Sequence, residues 1–223
     1  MNFNELVTKH NMRIKRVLHV GGHLGEEAND YRHNGVRHVT WVEADPIVAR
    51  DLERAVRRFH HRVINALVTD QDNVEMEFYV TNEQSLSSSV LHFGTHAKTS
   101  PDMVVEETKV LTSRTINSLM AEGSQRDWRE IDLLNMDVQG AELMVLRGAT
   151  DLLPQLRYVL SEVNHQDVYQ SCAQIEQLDA LLLPYGLVRM DTYFTMDGWG
   201  DALWVKRKEL ASDQGASDGL QLP

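Results

Sequence analysis

A single cysteine, Cys172, stands among 223 residues, so no internal disulfide can form and no set of thiolates is available for zinc. Long apolar runs are missing too. No stretch reaches the roughly 20 residues that span a bilayer, and the opening MNFNELVTKHNMRIKR has no apolar signal core. These absences fit a reducing compartment, and the chain is expected in the cytoplasm, away from membranes. Basic residues are outnumbered, with 22 Lys and Arg against 33 Asp and Glu, for a formal net charge of −11. That balance opposes a broad affinity for phosphate backbones, so nucleic acid is not an expected partner. The one local basic run, Arg54, Arg57, Arg58, His60, His61 and Arg62, reads as the wet face of a helix. No internal repeat is visible. The length and a hydrophobic content of 42% permit one sizeable core. Residues 1–207 read as a single domain, and the polar, glycine-rich segment 208–223 as a disordered tail.

What is present is concentrated near the N-terminus. An apolar run, Val17 to Val20, ends in Gly21 and Gly22, and Gly25 precedes a polar, helix-compatible segment opening with Glu26 and Glu27. A strand that turns into a helix through glycines lets backbone approach a ligand closely. A second apolar run ends at Glu43, about 20 positions after the glycine turn, where an acidic side chain can accept hydrogen bonds from both hydroxyls of a ribose. A dinucleotide fingerprint needs G-x-G-x-x-G, with pyrophosphate on the helix N-terminus. Val20 occupies the first of those glycine positions. The pattern present, G-x-x-x-G from Gly21 to Gly25, is similar to the first motif of Rossmann-like S-adenosylmethionine methyltransferases.

The rest of the chain alternates strand and helix patterns, as a parallel sheet covered on both faces requires. A helix near Asn4 to His10 leads into strand Arg16–Val20, a helix over 26–34, strand His38–Glu43, a helix opened by Pro46 and strand Arg62–Val68. VEMEFYVT, residues 74–81, alternates as a half-exposed strand, with 103–111 as its partner. Later come strand Ile131–Met136, the turn Asp137–Gly140, a helix over 141–148, strand Tyr158–Val163 and a helix over 173–183. Gly186–Met196 and Ala202–Lys206 read as strands joined through Asp197 and Gly198, a hairpin signal that makes them antiparallel neighbours.

Taken together, LHVGGHLGEE, WVEADP, NALVTD, SLSSSVL, NMDVQGAELMVLRGA, SEVN and GDALWV give a chain that resembles the FkbM family of S-adenosylmethionine-dependent O-methyltransferases from about Val17 to Val205. The resemblance implies a class I methyltransferase fold: α/β, Rossmann-like, with a mostly parallel seven-stranded sheet closed by an antiparallel hairpin and helices on both faces. It implies that Gly21, Gly22 and Gly25 pass beneath the methionyl and ribose parts of S-adenosyl-L-methionine, with His23 lining the turn. By position, Glu43 binds the ribose diol, Ala44 lies beside the adenine, Asn65 and Ala66 meet the adenine edge, and Asp137 faces the transferring methyl. Two residues depart from the family pattern: His19 stands where aspartate is common, and Asn117 where T-L-D has its acid.

Methyl transfer to a hydroxyl needs in-line positioning and a group that removes the acceptor's proton. Asp137, Glu142, Glu162 and His165 are the candidates, each with a purely structural role as the alternative. Asp137, Glu162, Asn164 and His165 could also present metal ligands, but spacing across two strands defines no coordination sphere and no metal is expected. The Ser-rich loop Ser85–Ser100, with His92 and His96, is placed to fold over the acceptor as a lid or to serve as a connector. The expected activity is methylation of a hydroxyl on a small molecule, such as a sugar, a glycan residue or a polyketide-type metabolite. The alternative is a noncatalytic cofactor-binding module.

Overall fold

Four consecutive residues, Val17, Leu18, His19 and Val20, are buried in β1 (Arg16–Val20), the continuous burial of a parallel strand covered on both faces. The computed structural model describes residues 1–82, 87–95, 102–123 and 128–214. In chain order it runs α1 (Phe3–Lys9), β1, α2 (Ala28–His33), β2 (His38–Glu43), α3 (Pro46–Val56), β3 (Arg62–Asn65), β4 (Leu67–Val68) and β5 (Glu75–Thr81). Next come β6 (Val105–Arg114), α4 (Ile116–Glu122), β7 (Leu133–Met136), α5 (Glu142–Arg147), β8 (Tyr158–Asn164), α6 (Ile175–Leu182), β9 (Leu187–Phe194), β10 (Trp199–Lys206) and α7 (Arg207–Gln214).

The main sheet has seven strands in the order β3-β2-β1-β7-β8-β10-β9, and only β10 runs against its neighbours. The order reverses between β1 and β7, so the carboxyl ends of those strands open a crevice. One face is packed by α1, α2 and α3 through Phe3, Leu6, Tyr31 and Leu52, and the other by α4, α5 and α6 through Ile116, Leu146 and Leu178. Asp45 starts α3 by accepting from the Ile47 and Val48 amides, with Pro46 in the first turn. A separate sheet, β4-β6-β5, leans on this corner, and Lys109 of β6 reaches Asp45 at 2.6 Å.

Two expectations are corrected. The run Arg62–Val68 is not one strand: β3 stops at Asn65, and Leu67 and Val68 leave to pair with β6 in the second sheet. Ala66 makes the crossing, its amide held by the Glu43 carbonyl at 3.0 Å. The tail read as disordered from 208 begins instead as α7, where Glu209 is paired with Arg157. Residues 215–223 of that tail lie outside the described residues.

Candidate active site

A cleft of about 920 Å³, its open mouth included, lies over the ends of β1, β2 and β7. The glycine turn forms its floor because nothing larger fits. Gly21 has a φ of +82°, and a Cβ there would lie 1.7 Å from the Asp137 carbonyl oxygen. The Gly21 and Gly22 amides donate to the Val42 carbonyl at 2.9 and 3.1 Å, and the Asp137 amide to that of Val20 at 3.0 Å. Three strand ends are thereby knitted together.

His23 also takes a left-handed backbone, φ 39°, which aims its amide at Glu43 Oε2, 3.0 Å away. The Asp45 amide donates to Glu43 Oε1 at 2.9 Å. Burial pushes the Glu43 carboxyl up to about 7, against the pull of the Asp45 and His23 amides. Ala44, Ala66, Leu67, Val68 and Phe78 give this end apolar walls.

At the other end the turn after β7 gathers carboxylates. Gln139, in a left-handed conformation (φ 55°), donates from Nε2 to Asp137 Oδ1 and, at 3.2 Å, to Glu162 Oε2. Its Oε1 accepts from the Tyr169 hydroxyl, and its carbonyl from Ser89 Oγ at 2.8 Å. Asp137 also lines a smaller cavity with Glu27, Glu162 and Asp201, so it stands in the wall between the two spaces. Its side chain keeps accessible surface, and its pKa is raised. Burial is the largest cause, and nearby Glu27 and Asp201 add to it. Burial, then Asp137 and Glu142, hold the Glu162 carboxyl well above the usual range. Neighbouring carboxylates that repel in this way titrate as a group.

The cleft presents Glu26, Glu27, Glu43 and Asp137, and neither Lys nor Arg lines it among the described residues. Such a wall suits a cationic sulfonium and repels a pyrophosphate. The comparisons agree with it. The profile described as the methyltransferase FkbM domain matches residues 19–188, most of the chain. The chain belongs to the FkbM methyltransferase family. The family and fold make it an S-adenosylmethionine-dependent methyltransferase.

Solved structures resemble this FkbM domain in fold. One is an uncharacterised protein from Listeria monocytogenes, 9% identical over 93% of this chain and 68% of that one, with a TM-score of 0.52. Another is a putative tRNA (m1A22) methyltransferase from Streptococcus pneumoniae, 10% identical over 92% and 70%, TM-score 0.51. A protein of the NADB-Rossmann superfamily from Streptococcus agalactiae is 11% identical over 92% and 68%, TM-score 0.50. No curated protein matches the sequence.

Several site residues have places in the FkbM domain that the sequence did not foretell. Asn65 gives its amide to the Glu43 and Ala44 carbonyls, at 2.8 and 2.9 Å, and does not line the cleft; Ala66 does. Gly25 faces α3, where a Cβ would lie 2.7 Å from Val56 Cγ1, so its role is close packing rather than a floor for the cofactor. Glu142 is buried outside the cleft and accepts from the Val138 and Gly140 amides at 3.3 and 3.0 Å, holding the turn. Burial pushes it up to about 7. His165 is exposed, its ring 4.5 Å from that of Phe194, and lines neither cavity.

Of the two departures from the family pattern, His19 is buried, stacked on Trp41 and within 3.0 Å of the Tyr31 hydroxyl; burial lowers its pKa to about 4, leaving it neutral. Asn117 lies on α4, bonded to Thr150 and to the Asp151 amide, away from the cleft. Among the described residues no three His, Cys, Asp or Glu side chains are grouped as a metal would need, and no helix is long and apolar enough to cross a membrane.

Ser88, Ser89 and Val90 of the Ser-rich loop do line the cleft, and His92 packs on Tyr79 at 4.2 Å. Ser85, His96 and Ser100 lie outside the described residues. Gln139 and Tyr169 had been passed over. The signal for Gln139 was its place inside the segment NMDVQGAELMVLRGA, whereas Tyr169 carried none.

Proposed function

We propose that residues 1–207 form one catalytic unit, an O-methyltransferase that acts on a hydroxyl of a small molecule such as a sugar or polyketide-type metabolite. One observation supports this above the others: Asp137, bridged to Glu162 by Gln139, stands in the wall shared by the cofactor cleft and the smaller acidic cavity.

Glu43 holds the ribose diol, Gly21, Gly22 and His23 support the ribose and methionyl parts, and Ala44 and Ala66 face the adenine. When bound, S-adenosylmethionine supplies an electrophilic methyl on a sulfonium. Asp137 takes the proton of the acceptor hydroxyl; its raised pKa makes it a better base near neutral pH than an ordinary aspartate. Glu162, its carboxyl raised well above the usual range by burial and then by Asp137 and Glu142, titrates together with Asp137. His165 stays outside this exchange. The acidic walls favour a neutral or cationic acceptor over a phosphate-bearing one such as a nucleic acid.

Mass spectrometry of a panel of hydroxylated small molecules incubated with the protein and cofactor tests the reading. The expected result is a product heavier by one methyl group. S-adenosylhomocysteine binding with no acceptor methylated marks a noncatalytic module, and methylation of amines or RNA alone overturns the assignment.

A further inference from the structure

Tyr169 is buried and lines neither cavity, so it acts on no bound molecule directly. Its hydroxyl nevertheless ends at the carboxylates. It donates to Oε1 of Gln139, a residue of the cleft wall whose Nε2 donates to Asp137 Oδ1 and Glu162 Oε2. Packing fixes the ring from which that hydroxyl projects. Val168, Cys172, Phe93 and Trp199 surround it, and it lies so close to the turn that a Cβ on Gly140 would come 3.1 Å from both the Tyr169 Cβ and its ring Cδ2. Gln139 is also held through its backbone, where the carbonyl accepts from Ser89 Oγ at 2.8 Å. Burial, then the charges of Glu162, Asp137 and Glu142, raise the Tyr169 pKa, so the hydroxyl keeps the proton it donates.

A carboxamide can serve a carboxyl group in two ways. Its nitrogen donates to the ionised form, and its oxygen accepts from the protonated form. Gln139 is denied the second way, because Tyr169 fixes where its oxygen points. We propose that Tyr169 is a positioning residue: by holding the Gln139 oxygen it keeps the amide nitrogen turned toward Asp137 and Glu162, and so keeps Asp137 ready to take the acceptor's proton. This rests on the hydroxyl-methylation reading above. The other ionisable groups acting on the pair are His19 on β1, Glu27 before α2, Glu142 on α5 and Asp201 on β10, all of which the variants below leave in place.

NMR of protein carrying isotope-labelled Asp and Glu carboxyls follows the titration of the pair without any acceptor, and Asp137→Asn and Glu162→Gln identify the signals. Tyr169→Phe keeps the ring and its packing and removes only the hydroxyl. The midpoints of the pair should then rise by about one pH unit, the worth of weakening a hydrogen bond to a charged group. Gln139→Met, which removes the amide, should raise them at least as far, and Tyr169→Phe should add nothing in that background. Affinity for S-adenosylhomocysteine, measured by calorimetry, should be unchanged in Tyr169→Phe. With the hydroxylated acceptor that is methylated best, the acid limb of the kcat profile should move by the same amount as the midpoints, lowering kcat about tenfold there and sparing the alkaline plateau. Midpoints unmoved in Tyr169→Phe overturn the proposal and leave the methylation reading intact, and so does a further rise when Tyr169→Phe is added to Gln139→Met. Midpoints that move while kcat keeps its wild-type profile show that Asp137 is not the base, which removes that reading and the proposal together.

Discussion

At the end of the cleft proposed to hold the ribose, Glu43 is fixed by two backbone amides, from His23 at 3.0 Å and Asp45 at 2.9 Å, while at the proposed transfer end Asp137 and Glu162 share one side-chain amide, that of Gln139. Carboxylates at both ends have raised pKa values, with desolvation as the largest cause. The means of support differ. Backbone donors are placed by the ends of β1 and β2 and do not titrate, so the ribose end is built to hold one geometry. The transfer end keeps neighbouring carboxylates in mutual repulsion, which is the condition for moving a proton.

The contrast is broken most directly at Asp137. Asp137→Asn should lower turnover by roughly 100- to 10,000-fold, the usual worth of a general base, while S-adenosylhomocysteine affinity measured by calorimetry is largely kept. If binding falls as far as turnover, Asp137 belongs to the cofactor grip and the two ends do not divide the work.

Glu43→Ala is the converse test. Hydrogen bonds to a charged group are worth about 1.5–3 kcal/mol, so cofactor affinity should drop by roughly ten- to a hundredfold. Unchanged affinity would place the ribose elsewhere.

The pH dependence of binding sharpens the comparison further. The Glu43 carboxyl, raised to about 7, is ionised above that pH and protonated below it. The ribose hydroxyls donate best to the ionised form, so affinity strengthens as pH rises through 7. With only about a tenth of the carboxylate ionised one unit below its pKa, the dissociation constant should be about tenfold weaker at pH 6 than at pH 8. A flat profile for Glu43→Gln beside a sloping wild type identifies the group; a flat wild type refutes it.

The smallest effect is expected at His165. An exposed ring that lines neither cavity should tolerate replacement, with turnover of His165→Ala within about twofold of wild type. A collapse of turnover there would move the base from Asp137 to the imidazole.

The strand–turn–helix at Val17–Gly25, the acid at Glu43 and the closing hairpin around Asp197 and Gly198 were legible in the chain because each depends on local chemistry: apolar runs, glycine conformations and turn residues. Burial patterns likewise fixed the sheet class. What the chain alone did not reveal was the use of each polar side chain. Asn65 and Glu142 carry motif positions yet hold backbone groups in place, because nearby carbonyls and amides needed partners. Gln139 and Tyr169, 30 positions apart, meet through a hydrogen bond that only the packing of the β7 and β8 turns creates. Sequence determined most of the segments that become strands and where the glycine turn lies. Tertiary structure decided which polar groups face the cleft and which are spent on the backbone, since hydrogen bonding and desolvation depend on neighbours brought together from distant parts of the chain.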